Sequence, residues 1–194
     1  MDHKLSDAAR KPRADSLKNR ERLVAAAKAA FAERGAEVPL EEIARRANVG
    51  IGTLYRHFPT REALLAAVYR REVEQLAAAA DRLLAERPPL EALEAWLRQL
   101  VDYVATKRVI APALQAAPGA GSAVYAASGP AIAGAMERVV GAAVRSGDMR
   151  ADVGAGDLMR LITGLVQGYD RPDWVASTQR LIGVLMSGLR APAA

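Results

Sequence analysis

The chain of 194 residues has no cysteine, only two histidines and few aromatic residues, which make up 5% of the sequence. Without cysteine, disulfides and thiolate metal ligands are excluded. His3 and His57 have no carboxylate or second histidine at ligand spacing, so we expect no metal site and no cofactor. A serine-centred glycine elbow and a phosphate-binding loop are also missing, so we do not expect an enzyme and name no catalytic residue.

Long apolar runs are missing as well. No stretch approaches the roughly 18 consecutive apolar residues that a membrane-spanning helix needs. The polar N-terminus, residues 1–13, has no apolar core of a secretory signal. We therefore expect a cytoplasmic protein. Because β-branched runs are short and alanine is abundant, the composition favours an all-α fold.

The net charge of +5 is distributed unevenly along the chain. Residues 1–70 carry 14 basic and 9 acidic side chains, whereas residues 71–194 carry 13 of each kind. No acidic residue lies between Ile43 and Arg61. This asymmetry indicates a polyanionic partner for the N-terminal third, although a solvated basic face would give the same count.

Helical periodicity and breaker residues divide the chain into segments. We predict a disordered basic tail over residues 1–14 and a first helix that starts near Asp15 or Ser16 and ends at Gly35. A basic three-helix unit is then joined by one long helix to a neutral helical remainder. The further helices are predicted at about Leu40–Ala47, Ile51–Phe58, Arg61–Glu86, Leu90–Lys107, Ile110–Ala116, Pro130–Ser146, Gly156–Tyr169 and Asp173–Leu189.

The two short helices within Ile43–Phe58 match a helix-turn-helix, in which small or apolar residues lie where the helices touch. Asn48 suits the left-handed conformation that the tight turn needs. A generic helical hairpin explains the apolar positions equally well. These positions are Ile43, Ala44, Ala47, Val49, Leu54 and Phe58.

The outer positions of the second short helix separate these two interpretations. Gly50 and Gly52 leave backbone amides bare near a positive helix end, and Thr53 offers a hydroxyl and a methyl group to a base edge. A hairpin without a DNA partner gives no reason for such an acid-free set, so DNA binding is favoured. Four more side chains can donate to phosphates or bases: Tyr55, Arg56, His57 and Arg61.

The run PLEEIARRANVGIGTLYRHFPTREALLAAVYR (Pro39–Arg70), preceded by AAAKAAFAERG (Ala25–Gly35), resembles the TetR-type transcriptional regulators. The resemblance covers about residues 17–70. The second half resembles that family only in layout, including SGDMRADV (Ser146–Val153) before the penultimate helix.

The resemblance implies an all-helical homodimer. It assigns a helix-turn-helix DNA-binding domain to residues 15–59 and a helical ligand-binding and dimerisation domain to residues 60–190. In two places the sequence departs from the family pattern: Pro39-Leu40 replaces the usual hydroxyl caps, and Ile51 is apolar where relatives are often polar. The positions implied at or near DNA are Leu40, Gly50, Ile51, Gly52, Thr53, Tyr55, Arg56, His57 and Arg61.

In the C-terminal part, large residues on helices rich in alanine and glycine predict an apolar ligand cavity, although plain core packing explains each residue singly. Glycines in the last two helices cost roughly 1 kcal/mol each relative to alanine, and close helix approach would offset that cost. The predicted pocket residues are Trp96, Leu100, Tyr103, Met136, Met159 and Tyr169. The family layout turns the last two helices into a dimer seam, for which we name Leu161, Gly164, Leu165, Gly168, Leu181 and Leu185.

The predicted function is a DNA-binding transcriptional regulator. We expect a repressor that binds a palindromic double-stranded DNA operator as a homodimer and is released by a small-molecule effector. The alternatives from other classes are an all-helical enzyme or small-molecule carrier with a basic end, or a helical adaptor that binds acidic protein surfaces.

Overall fold

A computed structural model describes residues 5–116, 120–166 and 173–191. These residues form helices joined by short loops, with no strand among them beyond an isolated antiparallel bridge between Met149 and Arg190. The predicted all-α fold is confirmed. None of the described helices is long and apolar enough to cross a membrane. The helices are α1 (Leu5–Arg34), α2 (Leu40–Arg46), α3 (Ile51–His57), α4 (Arg61–Glu86), α5 (Pro89–Ala116), α6 (Ala120–Arg145), α7 (Ala155–Leu165) and α8 (Trp174–Leu189).

The helix boundaries around the helix-turn-helix lie within one residue of those that the local sequence signals predict. Both short helices end one residue earlier than expected, and α4 matches its predicted range at both ends. Gly35, with φ of +83°, follows the end of α1, and Asn48, with φ of +51°, occupies the turn between α2 and α3. The left-handed conformation expected of Asn48 is therefore confirmed.

The N-terminal end of α1 differs from the prediction. The helix begins at Leu5, about ten residues before Asp15, so the prediction of a disordered tail is wrong for residues 5–14. This segment contains leucine, alanine, lysine and arginine, which all have high helix propensity. The net positive charge of this segment does not by itself outweigh these helix preferences. The helix therefore includes residues 5–14.

Two prolines that were predicted to interrupt helices lie inside them. Pro112 lies within α5, which therefore includes the separate helix predicted at Ile110–Ala116. Pro130 lies within α6. A proline removes one backbone hydrogen bond and disfavours the helix locally, but the surrounding turns can keep their own bonds. Both helices continue through these positions, so these two predicted breaks are wrong.

The chain divides into two compact units, of which the first contains residues 1–69 and 109–122 and the second contains residues 70–108 and 123–194. We call residues 5–69 of the first unit the head. The division falls inside α4, after Tyr69, whereas the sequence placed it between residues 59 and 60. The reason is that the first turns of α4 carry Leu64, Leu65 and Val68, which are fully buried.

The core of the head is built from α1, α2, α3 and the start of α4. On α1, buried side chains recur at the three- and four-residue spacing of one helix face. They meet the apolar residues that the helix-turn-helix pattern places inward. The buried set includes Leu23, Ala27, Phe31, Ile43, Ala44, Ala47, Leu54 and Phe58.

In the second unit, polar contacts add orientation to an apolar core. The indole N–H of Trp96, which is fully buried, donates a hydrogen bond of 2.9 Å to the carbonyl of Leu76. Nη1 of Arg98 on α5 donates to the backbone carbonyl and to Oε1 of Gln179 on α8, at 3.0 and 3.1 Å. The Gln179 amide in turn donates to the carbonyl of Arg98 at 3.2 Å. These bonds fix α8 against α5.

The left-handed turn at Asn48 gives a direct test of the fold. Because a side chain with a Cβ is strained at this φ, Asn48→Ala should lower the free energy of unfolding by about 1 kcal/mol. Asn48→Gly, which removes the Cβ, should leave it unchanged or raise it. Urea denaturation followed by circular dichroism measures both variants. Equal stability of the alanine variant and the unchanged protein would contradict the assigned turn.

Candidate nucleic-acid interface

The turn between α2 and α3 is held by backbone hydrogen bonds. The amide of Val49 donates to the carbonyl of Ala44 at 2.9 Å, and the amide of Asn48 donates to the carbonyl of Arg45 at 3.0 Å. Ala44 is only 3% exposed, so a larger side chain there would separate the helices. From α1, Nη2 of Arg22 donates to the carbonyl of Asn48 at 3.4 Å. The crossing of α2 and α3 is therefore fixed from inside and from α1.

Two buried side chains anchor α3 in the head. Leu54 is fully buried, and Phe58, which follows the helix, is 2% exposed. The guanidinium of Arg20 on α1 lies 5.3 Å from the centre of the Phe58 ring, within the range of a cation–π interaction. The other residues of α3 are exposed or partly exposed.

Seven predicted DNA-contacting residues lie on α3 or at its N-terminal cap and are exposed or partly exposed; together we call them the recognition surface. Ile51 is 38% exposed and Tyr55 is 46% exposed, which is unusual for large side chains with an apolar body. Thr53 and His57 are partly exposed, and the other three are exposed. The structure thus brings together Gly50, Ile51, Gly52, Thr53, Tyr55, Arg56 and His57.

One acidic residue near the recognition surface in sequence, Glu42, is paired with arginines of the head. Glu42 on α2 accepts a hydrogen bond of 2.7 Å from Nη2 of Arg46 and a second one from Arg34. Arg46 also donates to Glu33 at 2.6 Å. The bond from Arg46 and then the bond and charge of Arg34 hold the pKa of the Glu42 carboxyl below its ordinary value. Glu42 is therefore ionised and paired at neutral pH, which leaves the excess positive charge of the head to exposed side chains such as Arg45.

Two other predicted DNA-contacting residues lie elsewhere in the head. Leu40 is only 7% exposed, so its side chain packs inward at the start of α2. Arg61 is half-buried, and its Nη1 donates to the carbonyls of Ala36 and Val38, both at 2.7 Å. The sequence pattern also did not single out Arg20 and Arg22, whose partners are 38 and 26 residues away in the chain.

Neither the packing nor the backbone conformation of the head requires glycine at Gly50 or Gly52. A Cβ built on either residue meets no atom within 4 Å, and neither residue has the positive φ that favours glycine. Gly52 lies inside α3, where glycine costs roughly 1 kcal/mol relative to alanine. Since nothing in the head occupies the space beside these residues, the absence of side chains suits the close approach of an external partner.

Two family models match most of the chain. Residues 23–68 match the model of bacterial regulatory proteins of the tetR family, and residues 88–191 match the C-terminal domain of SbtR-like transcriptional regulators. The chain belongs to the TetR family of transcriptional regulators. The recognition surface lies within the first of these matches, so it is part of the DNA-binding domain of a TetR-family chain.

Similar proteins of known structure support this assignment over nearly the whole length. A TetR transcriptional regulator from Streptomyces coelicolor is 42% identical, with a TM-score of 0.81; the match covers 90% of this chain and 99% of that one. A TetR regulatory protein from Mycobacterium vanbaalenii is 34% identical, with a TM-score of 0.75, over 92% of this chain and 99% of that one.

The match to a curated protein is more local. The transcriptional repressor KstR of Mycolicibacterium smegmatis is 41% identical over 64 residues, which span 32% of this chain and 31% of that repressor. The chain thus aligns with about a third of the length of this relative.

In the second unit of this TetR-family chain, Met136 and Met159 lie at a cavity of about 260 Å³ between α6 and α7. The predicted pocket residues Trp96, Leu100 and Tyr103 are buried in the core and do not line this cavity. Tyr169 lies outside the described residues. The lining consists of Ala133, Met136, Glu137, Ala155, Gly156, Met159, Arg160 and Thr163.

The predicted dimer seam corresponds to exposed apolar surface on α7 and α8. Leu161 and Leu181 are each 42% exposed, and Gly164 is exposed. Leu165 and Leu185 are half-buried. Gly168 lies outside the described residues. Val184, which is 69% exposed on α8, was not among the predicted seam residues, although its place between Leu181 and Leu185 in the helix could have suggested it.

The open space at Gly52 leads to opposite effects on stability and on binding. Gly52→Ala should raise the free energy of unfolding by about 0.5–1 kcal/mol, because the helix gains propensity and the new methyl meets no atom. The same methyl should weaken DNA binding, because it occupies space that DNA would approach. Urea denaturation and fluorescence anisotropy with labelled duplex DNA measure the two effects.

A matched control is Gly134→Ala in α6, where an added Cβ meets only the end of the Arg138 side chain, at an ordinary contact distance of 3.7 Å. This variant lies outside the head and should gain stability without losing DNA affinity. Undiminished DNA affinity of Gly52→Ala would show that DNA does not approach α3 closely at this residue.

Proposed function

We propose that the protein represses transcription by binding a near-palindromic DNA operator as a homodimer, and that a small molecule bound by the second unit releases it. One observation carries the DNA-binding part: α3 presents an exposed, acid-free face whose two glycines border open space. Thr53 and Tyr55 supply hydrogen-bonding groups on this face, and Arg56 supplies a positive charge for phosphates.

The exposed apolar surface of α7 and α8 supports a homodimer. Large apolar side chains at 42% to 69% exposure on two neighbouring helices form a surface suited to burial against a partner. A two-fold axis pairs this surface with the same surface of a second copy, so four helices share one seam. Such a dimer holds two recognition surfaces at once, for half-sites about 34 Å apart on one face of the duplex.

The cavity between α6 and α7 supports the effector part of the proposal. Met136 and Met159 give it an adaptable apolar lining, while Glu137 and Arg160 add opposite charges. Its volume of about 260 Å³ lies just below the range of drug-sized ligand pockets, so it suits only a small effector. α4 runs without interruption from Arg61 in the head to Glu86 in the second unit, so one helix connects the two activities. Release by an effector requires operator and effector to weaken each other's binding by the same factor.

Repression, in place of activation, is suggested by the local similarity to KstR, which is named as a repressor. A dimer that covers an operator blocks other proteins from the same DNA. An effector that leaves operator affinity unchanged would contradict the proposed switch.

The function is tested by selecting bound sequences from a random pool of duplex DNA. We expect an inverted repeat, and we expect affinity for it to fall steeply as salt concentration rises. Arg56→Ala should weaken binding to the selected and to random DNA alike and lower the salt slope by about one unit, because an exposed phosphate contact is lost. A small-molecule carrier or an adaptor for acidic proteins would select no repeat, and that result would overturn the proposal.

The dimer seam is tested by Val184→Glu on α8. A charge buried in an apolar seam without a partner costs several kcal/mol, so this variant should be monomeric at micromolar concentration. Leu17→Glu is the matched control, because Leu17 is 64% exposed on α1 of the head and belongs to neither α7 nor α8. Sedimentation velocity should show a smaller species for Val184→Glu only. A dimer that persists in this variant would place the seam elsewhere.

A further inference from the structure

Arg61 connects the first residue of α4 with the loop between α1 and α2. Its Nη1 carries two hydrogens, and each has a carbonyl acceptor: Ala36 at 2.7 Å and Val38 at 2.7 Å. The side chain is half-buried, and Val38 is only 2% exposed. Both bonds join the positively charged guanidinium to a carbonyl in a partly buried position. Such charge-assisted hydrogen bonds are stronger than those between neutral groups.

The loop that Arg61 holds determines where α2 begins. It starts at Gly35, whose φ of +83° reverses the chain after α1, and it ends at Pro39, the N-terminal cap of α2. Pro39 offers no side-chain cap, so α2 has no local hydrogen bond of that kind to fix its start. The bonds from Arg61 to Ala36 and Val38 therefore attach this loop to α4 by its backbone, in addition to the burial of the Val38 side chain.

The helix α2 itself is attached to α1 in a different way. Arg46 and Glu42 belong to an ionic cluster with Glu33 and Arg34 at the end of α1. Its members include exposed side chains, which salt screens. Besides the apolar core, these ion pairs therefore hold α2 against α1, and Arg61 holds the start of α2 against α4.

We propose that Arg61 is a positioning residue that fixes the α2–α3 pair against the first turn of α4 and thereby sets the distance between DNA half-sites that the dimer accepts. The inference rests on the proposed function, because half-site spacing has meaning only for a dimer on a paired operator. It differs from the role that the sequence pattern gave Arg61, which was a contact with DNA.

The two roles predict different results. A phosphate contact contributes equally to every operator, whatever its spacing, so its loss lowers all affinities by one factor. A residue that only stabilises the fold lowers the concentration of active protein, again by one factor for every operator. A positioning residue restricts the geometry of the head. Its loss weakens binding to the best spacing most, because affinity there depends on a fixed orientation.

The experiment uses the full-length protein and three operators: the selected inverted repeat and versions with one base pair added to or removed from its centre. The variants are Arg61→Gln, which removes the charge, and Arg61→Lys, which keeps the charge but loses the planar fork. Circular dichroism reports the folded fraction, and fluorescence anisotropy gives the dissociation constants. The readout is the ratio of the affinity for the selected spacing to the affinity for the altered spacings.

We expect this ratio to fall by about tenfold in Arg61→Gln and to fall also in Arg61→Lys, whose salt slope stays that of the unchanged protein. Arg56→Ala, which removes an exposed arginine of α3, should lose affinity with an unchanged ratio. An unchanged ratio in Arg61→Gln would overturn the inference, whatever the loss of total affinity. If Arg61→Gln does not fold, Arg61→Lys decides by the same criterion. Failure of the unchanged protein to select any paired site would overturn the proposed function as well, so the two failures are distinct.

Discussion

The structure of the head depends on how a helix of only seven residues is held in place. Two turns of helix are unstable by themselves in water, so α3 exists because its neighbours hold it. Leu54 and Phe58 are the two side chains that enter the core, one from the middle of the helix and one just after its end. Since these two residues are enough to anchor α3, its other positions are not needed for packing. The residues that fold α3 and the residues that it presents are therefore separate sets.

This separation explains residue choices that would otherwise lower stability. Gly52 weakens α3 and Gly50 provides no side-chain cap, and the fold gains nothing from either residue. Local choices that conflict with stability are expected at functional sites, where an external partner supplies what the fold does not. The ionic pairing of Glu42 fits the same view, because it keeps the charge of a nearby acid within the head. The head thus loses some stability and keeps a bare, positive surface.

The sequence predicted the features whose cause lies within a few residues. Gly35, Asn48 and the ends of α4 depend on local backbone preferences, and the apolar positions of the helix-turn-helix depend on a short period. The role of Arg61 could not be predicted in this way, because its acceptors lie 23 and 25 residues away and only the folded chain brings them together. Its exposed neighbours and its charge made a DNA contact the natural expectation.

At the two prolines inside α5 and α6, the prediction from sequence gave too much weight to the local preference of proline against helix. Pro112 and Pro130 each cost a hydrogen bond, and a sequence pattern interprets each as the end of a helix. In the fold, Ile110 and Leu114 are buried on either side of Pro112, and Ile132 is buried after Pro130. The packing of several apolar side chains outweighs one missing bond, and this balance cannot be calculated before the tertiary partners are known.

Open space beside a glycine does not by itself identify an interface. Gly129 in α6 borders open space just as Gly52 and Gly164 do, yet its exposed surroundings contain no large apolar side chain among the described residues. The distinction comes from a second property. Six large apolar residues are strongly exposed in the described part of the chain, and five of them lie on α3, α7 and α8. These helices combine two features: glycines with open space beside them, and apolar side chains that are exposed. A partner that covers one feature also uses the other, and this co-occurrence supports the proposals that α3 approaches DNA and that α7 with α8 pairs with a second copy.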